Sequence, residues 1–133
     1  MTRYLLDTNI FIAALKGHPA VRARLETTPL ERILLSSVVL GELEFGAEKS
    51  SQSERNRTRL AELAGRLAIA VVDTNTSHSY ARIRAGLERQ GTPIGTNDLW
   101  IAAQAQALDA VMVTDNTIEF SRVPGLSLEN WLA

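Results

Sequence analysis

The segment Tyr4-Leu5-Leu6-Asp7-Thr8-Asn9 decides the fold, because an apolar run stops at an aspartate and the sequence of a helix begins directly after it. Short apolar runs of this kind are typical of buried strands. Polar clusters that contain an acid recur at residues 96–98 and 113–116. Parallel strands run the same way, so the residues at their carboxyl ends meet along one edge of the sheet. We therefore expect these carboxylates to lie close together.

Strands alternate with helices along the rest of the chain. Strands are predicted at residues 3–7, 33–35, 69–72 and 110–114, with a last extended piece near 126–128. Helices are predicted at residues 10–15, 19–27, 38–48, 54–67, 77–90 and 98–108. This alternation, without hairpin signals, predicts a parallel sheet with helices on both faces. With no linker or repeat in sequence, we expect residues 1–133 to form one three-layer α/β/α domain.

Capping residues set the expected helix boundaries. Ser37 is the predicted N-cap of the helix over residues 38–48, because a serine hydroxyl satisfies free N–H groups at a helix start. Thr96 or Asn97 is predicted to cap the helix over residues 98–108. Gly91 is expected to end the helix over residues 77–90, because glycine readily adopts the left-handed conformation found there.

Composition excludes several kinds of protein. The formal net charge is -1, so any nucleic-acid site must be local, built from clustered arginines or a metal. The chain has no cysteine, which rules out disulfides, thiolate zinc sites and a cysteine nucleophile. No apolar run approaches the roughly 20 residues of a membrane span, and Asp7 comes too early for a signal peptide. We expect a soluble protein of the cytoplasm.

Four acids are candidates for a metal site: Asp7, Glu42, Asp98 and Asp115. Taken singly, an aspartate near a helix start is usually a cap, and a helical glutamate is usually exposed. Gathered at strand ends, these carboxylates would repel one another and would need a cation. Hard oxygen ligands without Cys or spaced His select Mg²⁺ or Mn²⁺ over zinc. Such a metal would activate water for in-line attack on a phosphodiester, as in a ribonuclease.

Polar residues around these acids have two interpretations. They could orient the carboxylates and the attacking water, or they could simply cap helices. The residues concerned are Thr8, Asn9, Ser37, Thr114 and Asn116. Arginines of the basic helix, residues 55–66, could bind phosphates, although solvated helix faces are the commoner reason for such charges.

Four segments resemble the motifs of the VapC-type toxins of bacterial toxin–antitoxin pairs, which are PIN-domain ribonucleases. The match covers nearly the whole chain, with the motifs in the right order and spacing. The segments are residues 5–9 (Leu-Leu-Asp-Thr-Asn), 36–42 with 46–49, 94–98 with 101–103, and 113–116 with 119–120 and 123–126. A single motif of this kind would be weak, since many strands end in aspartate. Four together are specific.

The resemblance implies a central, mostly parallel sheet of four or five strands with the acids converging at one edge. It implies endonucleolytic cleavage of RNA that depends on Mg²⁺ or Mn²⁺, with Asp7, Glu42 and Asp98 as catalytic metal ligands. Transfer RNA is among the substrates that family members cleave. The resemblance also implies a homodimer and a VapB-type antitoxin that blocks the site, with operator DNA bound only through the antitoxin.

The carboxyl-terminal motif departs from the family pattern. The family's fourth polar position falls two residues after the threonine, at Asn116, whereas the acid Asp115 comes one residue earlier. Glu119 is a further acid nearby. From the sequence we assign Asp115 as the fourth metal ligand, with Asn116 and Glu119 as the alternatives.

Two other functions remain open at this stage. A catalytically inactive PIN-like module could act through protein partners alone, but it would have no need to gather uncompensated acids. A phosphatase of the phosphoaspartate type also places aspartate at a strand end. It would need a second aspartate two residues later, where this chain has Asn9. A receiver domain would need a lysine near the end of a late strand, and none follows Lys49.

Overall fold

Five short strands form the centre of the protein in the computed structural model, which describes residues 1–133. They are β1 (Tyr4–Leu6), β2 (Ile33–Ser36), β3 (Ala68–Ala70), β4 (Val111–Val113) and β5 (Leu128–Glu129). The strands lie in the order β3-β2-β1-β4-β5, and every neighbouring pair is parallel. The predicted parallel sheet of four or five strands is confirmed.

Seven α-helices connect the strands and flank the sheet. They are α1 (Thr8–Leu15), α2 (Pro19–Thr27), α3 (Ser37–Glu48), α4 (Ser53–Ala64), α5 (Thr74–Gln90), α6 (Thr96–Ala107) and α7 (Thr117–Phe120). One turn of 3₁₀ helix at Leu30–Arg32 leads into β2. None of the helices is both long and apolar enough to cross a membrane.

The core is built around the central strands, and α6 contributes more buried residues to it than any other helix. Leu5, Leu6 and Leu35 of the two central strands are fully buried. Helix α6 adds Ala102 and Ala103, whose small side chains are also fully buried and allow close packing. Strands covered by helices leave only their ends open to solvent. The fold therefore directs any chemistry to an edge of the sheet, where the strands stop.

Two predicted helix starts are wrong by a few residues. The N-cap of α3 is Ser36 and not Ser37, because the Ser36 hydroxyl accepts from the backbone N–H groups of Val38 and Val39. Helix α5 begins at Thr74 and not at residue 77, because Asp73 caps it by accepting from the N–H of Thr76 at 2.9 Å. In both cases the capping side chain lies earlier in the sequence than predicted: Ser36 is the last residue of β2, and Asp73 lies three residues after β3.

Other boundaries also differ from expectation. Gly95 occupies the N-cap position of α6 and provides no side-chain cap, so Thr96 and Asn97 are helical residues and not caps. Strand β3 ends at Ala70, before the predicted residue 72, and β5 lies slightly later than the predicted 126–128. Gly91 does end α5 in the left-handed conformation, with φ of 71°, as predicted.

Candidate active site

Asp7 occupies the carboxyl end of β1, the central strand of the sheet. Its backbone N–H still donates to the carbonyl of Val113 on β4, at 2.8 Å. The residue is only 7% exposed, and both of its carboxylate oxygens are held. Oδ1 accepts from the N–H of Thr8 at 2.7 Å, and Oδ2 accepts from the hydroxyl of Thr114 at 2.9 Å. A strand end and a helix start together fix this carboxylate.

Glu42 reaches the same edge from helix α3. Side chains of a helix lean toward its amino terminus, and the amino terminus of α3 follows β2 directly. Glu42 Oε1 accepts a hydrogen bond from the Thr8 hydroxyl at 3.1 Å. Thr8 therefore contacts two acids, since its N–H binds Asp7 and its hydroxyl binds Glu42.

Asp98 and Glu119 form a second pair of acids at this edge. Asp98 lies in the first turn of α6, and Glu119 lies on the short helix α7. Glu119 acts on Asp98 through a side-chain hydrogen bond and through its charge, and both raise the pKa of Asp98. Glu119 is held in place because Oε1 accepts from the N–H of Gly95 at 3.2 Å and Oε2 accepts from the side-chain amide of Asn116.

These acids perturb one another. Burial, the hydrogen bond with Glu119, and the charges of Glu119, Asp7 and Glu42 raise the pKa of Asp98 to about 7. Burial also raises the pKa of Asp7, although the hydrogen bonds from Thr114 and Thr8 oppose that effect. Strongly perturbed carboxylates in one place are a common sign of a functional site.

No basic side chain compensates this negative charge. The ion pairs of the protein are Arg24–Glu129, Arg57–Glu48 and Arg84–Glu88, and all of them lie elsewhere. Uncompensated buried carboxylates are costly, and a bound cation is the usual remedy. The cluster is therefore suited to bind a cation that the chain itself does not supply.

The donor set fits a hard divalent cation in its chemistry. Every candidate ligand is a carboxylate, and Mg²⁺ and Mn²⁺ prefer such oxygen donors. With the side chains as they stand, no three acidic, histidine or cysteine residues are grouped tightly enough to hold one ion together. The carboxylates would have to draw closer together to share one ion, and a cation would favour this by cancelling their repulsion.

Comparison with known proteins agrees with this geometry. Residues 4–126 match the PIN domain family. The chain is 42% identical to ribonuclease VapC2 of Rickettsia felis over 130 residues, which covers 96% of this chain and 97% of that one. The chain belongs to the VapC ribonucleases of the PIN-domain family. Membership in this family sets it apart from the phosphatases and receiver domains considered above.

One further relative and two solved structures extend the likeness. The tRNA(fMet)-specific endonuclease VapC of Salmonella typhimurium is 39% identical, with 98% of this chain and 99% of that one covered. A crystal structure of DNA-bound VapBC from Salmonella typhimurium contains a chain with the same fold, at a TM-score of 0.93 and 39% identity over 98% of this chain and 99% of that one. A crystal structure of VapBC2 from Rickettsia felis, bound to a promoter DNA fragment, matches at a TM-score of 0.89 and 39% identity, covering 98% of this chain and 99% of that one.

Within this PIN domain, the structure brings Asp7, Glu42 and Asp98 to one edge of the sheet, as the sequence predicted. Asp115, the sequence-based choice for the fourth ligand, lies differently. It is exposed, and its Oδ1 accepts from the side-chain amide of Asn9 at 3.3 Å. Asp115 influences Asp7 through its charge, but it makes no contact with Asp98 or Glu42.

The polar residues predicted around the acids divide into two groups. Thr8, Thr114 and Asn116 each hold an acid of the cluster through a hydrogen bond. Asn9 binds the outlying Asp115, and the Ser37 side chain makes no hydrogen bond. Sequence reasoning missed the backbone N–H of Gly95, which contacts Glu119, because no side chain marks such a donor.

Proposed function

We propose that this protein is the endoribonuclease toxin of a toxin–antitoxin pair and that a VapB-type antitoxin neutralises it. The observation that carries the proposal is the cluster of Asp7, Glu42, Asp98 and Glu119 at the carboxyl edge of the sheet, without any basic partner. Relatives that are full-length matches are ribonucleases and endonucleases, which supports cleavage of RNA by this site.

The reaction proposed here depends on Mg²⁺ or Mn²⁺ held by Asp7, Glu42 and Asp98. When bound, the metal lowers the pKa of a coordinated water and offsets the charge that develops on the phosphate. Thr8 and Thr114 fix the orientation of the Asp7 carboxylate, and Thr8 also holds Glu42. These contacts keep the carboxylates in place before substrate arrives, so less reorganisation is needed during the reaction.

Glu119 is our candidate for the fourth acid, in place of Asp115. The charge of Glu119 raises the pKa of both Asp98 and Asp7, whereas the charge of Asp115 acts on Asp7 and not on Asp98. Asn116 belongs to the site as the residue that positions Glu119, by donating its side-chain amide. Of the three residues considered for the fourth position, Glu119 is thus the proposed acid, Asn116 positions it, and Asp115 contacts Asn9 instead.

Transfer RNA is the substrate class that we propose. The Salmonella and Shigella relatives carry the name tRNA(fMet)-specific endonuclease, at 39% and 41% identity over almost the whole chain. The partner class follows from the VapBC complexes among the structural neighbours, two of which contain DNA. We propose a VapB-type antitoxin that brings this protein to operator DNA, and a homodimer as the form that acts on RNA.

Incubation with total cellular RNA tests the proposed function. Purified protein is incubated with Mg²⁺, with Mn²⁺ or with a chelator, and Asp7→Asn protein is incubated in parallel. Discrete fragments that require metal and are absent with Asp7→Asn are expected, and their ends identify the cleaved bond. A folded protein that leaves RNA intact in every lane, yet binds its antitoxin, would favour the inactive binding module instead.

A second measurement tests the metal without relying on activity. Titration calorimetry with Mn²⁺ is expected to detect binding to the wild-type protein and weaker binding to Asp7→Asn. Circular dichroism establishes that the variant is folded. Equal Mn²⁺ affinity in the two proteins would contradict the assignment of Asp7 as a ligand.

A further inference from the structure

Two adjoining clefts lead away from Glu42 along the surface of the protein. The first has a volume of about 350 Å³ and lies between α1, α3 and α4, with Lys16, Glu42, Arg59 and Leu60 among its lining residues. The second has a volume of about 510 Å³ and lies between α1, α2 and α4. Lys16 and Arg59 line both clefts and therefore stand at their junction. The two clefts thus adjoin and together form a path that begins at Glu42.

Three cations line this path: Lys16, Arg22 and Arg59. All three are exposed, and none of them forms an ion pair or a side-chain hydrogen bond. We call the path marked by these three residues the cationic groove. Glu42 at one end and Glu26 in the second cleft are its acids. Beyond the metal site, the groove therefore carries an excess of positive charge, although the whole chain has a net charge of -1.

The turn between α1 and α2 positions one of these cations. Gly17 adopts φ of 76°, a conformation that glycine tolerates and that reverses the chain directly after Lys16. The Arg22 guanidinium lies against this turn, since a Cβ built on Gly17 would stand 3.5 Å from Arg22 Nη1. The sharp turn therefore brings Lys16 and Arg22 to the same side of the second cleft.

The floor of the groove is apolar. Leu15 lines both clefts, Leu60 lines the first, and Leu63 lines the second. A low-dielectric floor beneath unpaired cations strengthens their attraction to an anion above them. Cations that have no partner in their own chain are available to bind one from outside.

We propose that the cationic groove holds the RNA backbone on one side of the scissile phosphate, with Lys16, Arg59 and Arg22 contacting successive phosphates. The proposal rests on the proposed function, because it takes the acid cluster as the place of cleavage. Charge complementarity and continuity with Glu42 favour a polyanion that passes through the site over an occupant confined to the clefts. The contacts position the substrate and carry no sequence information by themselves.

The matched control lies on the same helix. Arg57 and Arg59 are two residues apart on α4, so they point to different faces of the helix. Arg57 is paired with Glu48 and lines neither cleft. The substitutions Arg59→Gln and Arg57→Gln remove the same charge from the same element, and only the first removes it from the cationic groove.

Binding is measured with labelled initiator transfer RNA, in chelator and in the non-cleaving Asp7→Asn background, at several salt concentrations. Replacing both Lys16 and Arg59 by Gln is expected to lower affinity about tenfold near 0.1 M salt. The slope of log affinity against log salt should fall by about one for each lost phosphate contact. Arg57→Gln should leave the slope unchanged. In the cleaving protein, Arg59→Gln should raise KM with little change in kcat, since it removes uniform binding.

The outcomes separate this proposal from the function on which it rests. If the wild-type protein cleaves RNA but Arg59→Gln and Arg57→Gln have the same affinity and salt slope, the groove assignment is wrong and the ribonuclease assignment stands. If the Lys16 and Arg59 substitutions weaken only the complex with the antitoxin, the groove is a protein-binding surface and the RNA proposal is overturned. If the wild-type protein binds transfer RNA through the groove but cleaves no RNA, the proposed function fails by itself.

Discussion

Glu119 and Asp115 are both candidates for the fourth acid of the proposed metal site, and their surroundings distinguish them. Glu119 raises the pKa of Asp98 and is held by hydrogen bonds from Gly95 and Asn116, whereas Asp115 is exposed and hydrogen-bonded to Asn9. We expect Glu119→Gln to lower the cleavage rate by about 100-fold, because it weakens the site for a divalent cation. Asp115→Asn should lower the rate by no more than about threefold, because it removes only a distant charge. Rates on a fixed RNA at one subsaturating Mg²⁺ concentration measure both effects. A larger loss with Asp115→Asn than with Glu119→Gln would return the fourth position to Asp115.

Asp98 makes the stability of the metal-free protein depend on pH. Its pKa is about 7 in the folded protein, well above the usual 3.8, so the folded state binds the proton more tightly than the unfolded state does. The contribution is fully present below pH 4 and is lost as pH rises toward 7. With chelator present, the melting temperature should therefore fall across this window through Asp98, and Asp98→Asn should flatten the fall. Calorimetric scans at several pH values measure it.

Added Mg²⁺ should reverse this trend. Protons compete with a metal for carboxylates, so Mg²⁺ should raise the melting temperature more at pH 7.5 than at pH 5. The Asp98→Asn protein should show little of this gain at either pH. A wild-type protein whose melting temperature is the same with Mg²⁺ and with chelator at pH 7.5 would contradict the metal site.

Three of the four acids could be predicted from the sequence because chain direction places them. Asp7 ends a strand, and Glu42 and Asp98 lie near the starts of helices that point at the same edge. For the fourth position the sequence left Asp115, Asn116 and Glu119 open, and Asp115, two residues after β4, is exposed in the structure. Glu119 returns to the site through a helix of only four residues, whose direction no apolar pattern specifies. A position close to the end of a strand therefore does not by itself predict that an acid points into the site.

At the level of elements, a buried hydrogen-bond network joins two strands to a helix. Gln104 on α6 is fully buried, accepts from the Ser36 hydroxyl at the end of β2, and donates to the carbonyl of Ala70 on β3 at 2.7 Å. Ser36 also caps α3. We expect Ser36→Ala to destabilise the protein by about 1–3 kcal/mol, since it removes a cap and leaves Gln104 Oε1 without its donor. Unfolding in urea with an unchanged m-value measures the loss.

Ser37→Ala is the control for this network. Ser37 is the residue that sequence reasoning selected as the cap, yet its side chain makes no hydrogen bond. Its replacement should change the free energy of unfolding by less than about 0.5 kcal/mol. If Ser37→Ala costs as much as Ser36→Ala, then the cap is shared and the network does not account for the difference.

The five strands and the six longer helices were predictable in order, but the short helix α7 and the ends of the elements were not. The alternation of apolar runs and amphipathic segments gave the parallel sheet, because that pattern depends on burial along whole elements. Ends depend on single hydrogen bonds. Two adjacent serines at the end of β2 could cap α3. Ser36 is the cap, and its hydroxyl is also hydrogen-bonded to Gln104, which lies 68 residues away in sequence. Such a long-range contact is absent from local sequence patterns.

On the scale of the whole molecule, strand order explains why the site lies where it does. The chain passes from β1 outward to β2 and β3, then returns to the other side of β1 for β4 and β5. The order reverses between β1 and β4, and ligands of open α/β sheets bind outside the carboxyl ends of strands at such a point. Asp7 and Thr114 follow these two strands and contact each other at 2.9 Å. The topology thus opens a crevice, and the sequence places acids in it.

The whole molecule also decides whether toxicity and antitoxin binding can be separated. Asp7 is buried at a strand end, so Asp7→Asn changes the charge at the catalytic edge and leaves the outer surface as it is. Expression of the wild-type protein alone should arrest bacterial growth, and co-expression of its antitoxin should restore it. The Asp7→Asn protein should not arrest growth, yet it should still co-purify with the antitoxin, because its fold and surface are intact. Growth arrest by a folded Asp7→Asn protein would mean that toxicity does not come from the acid cluster, since that cluster would have lost the charge of its most buried carboxylate.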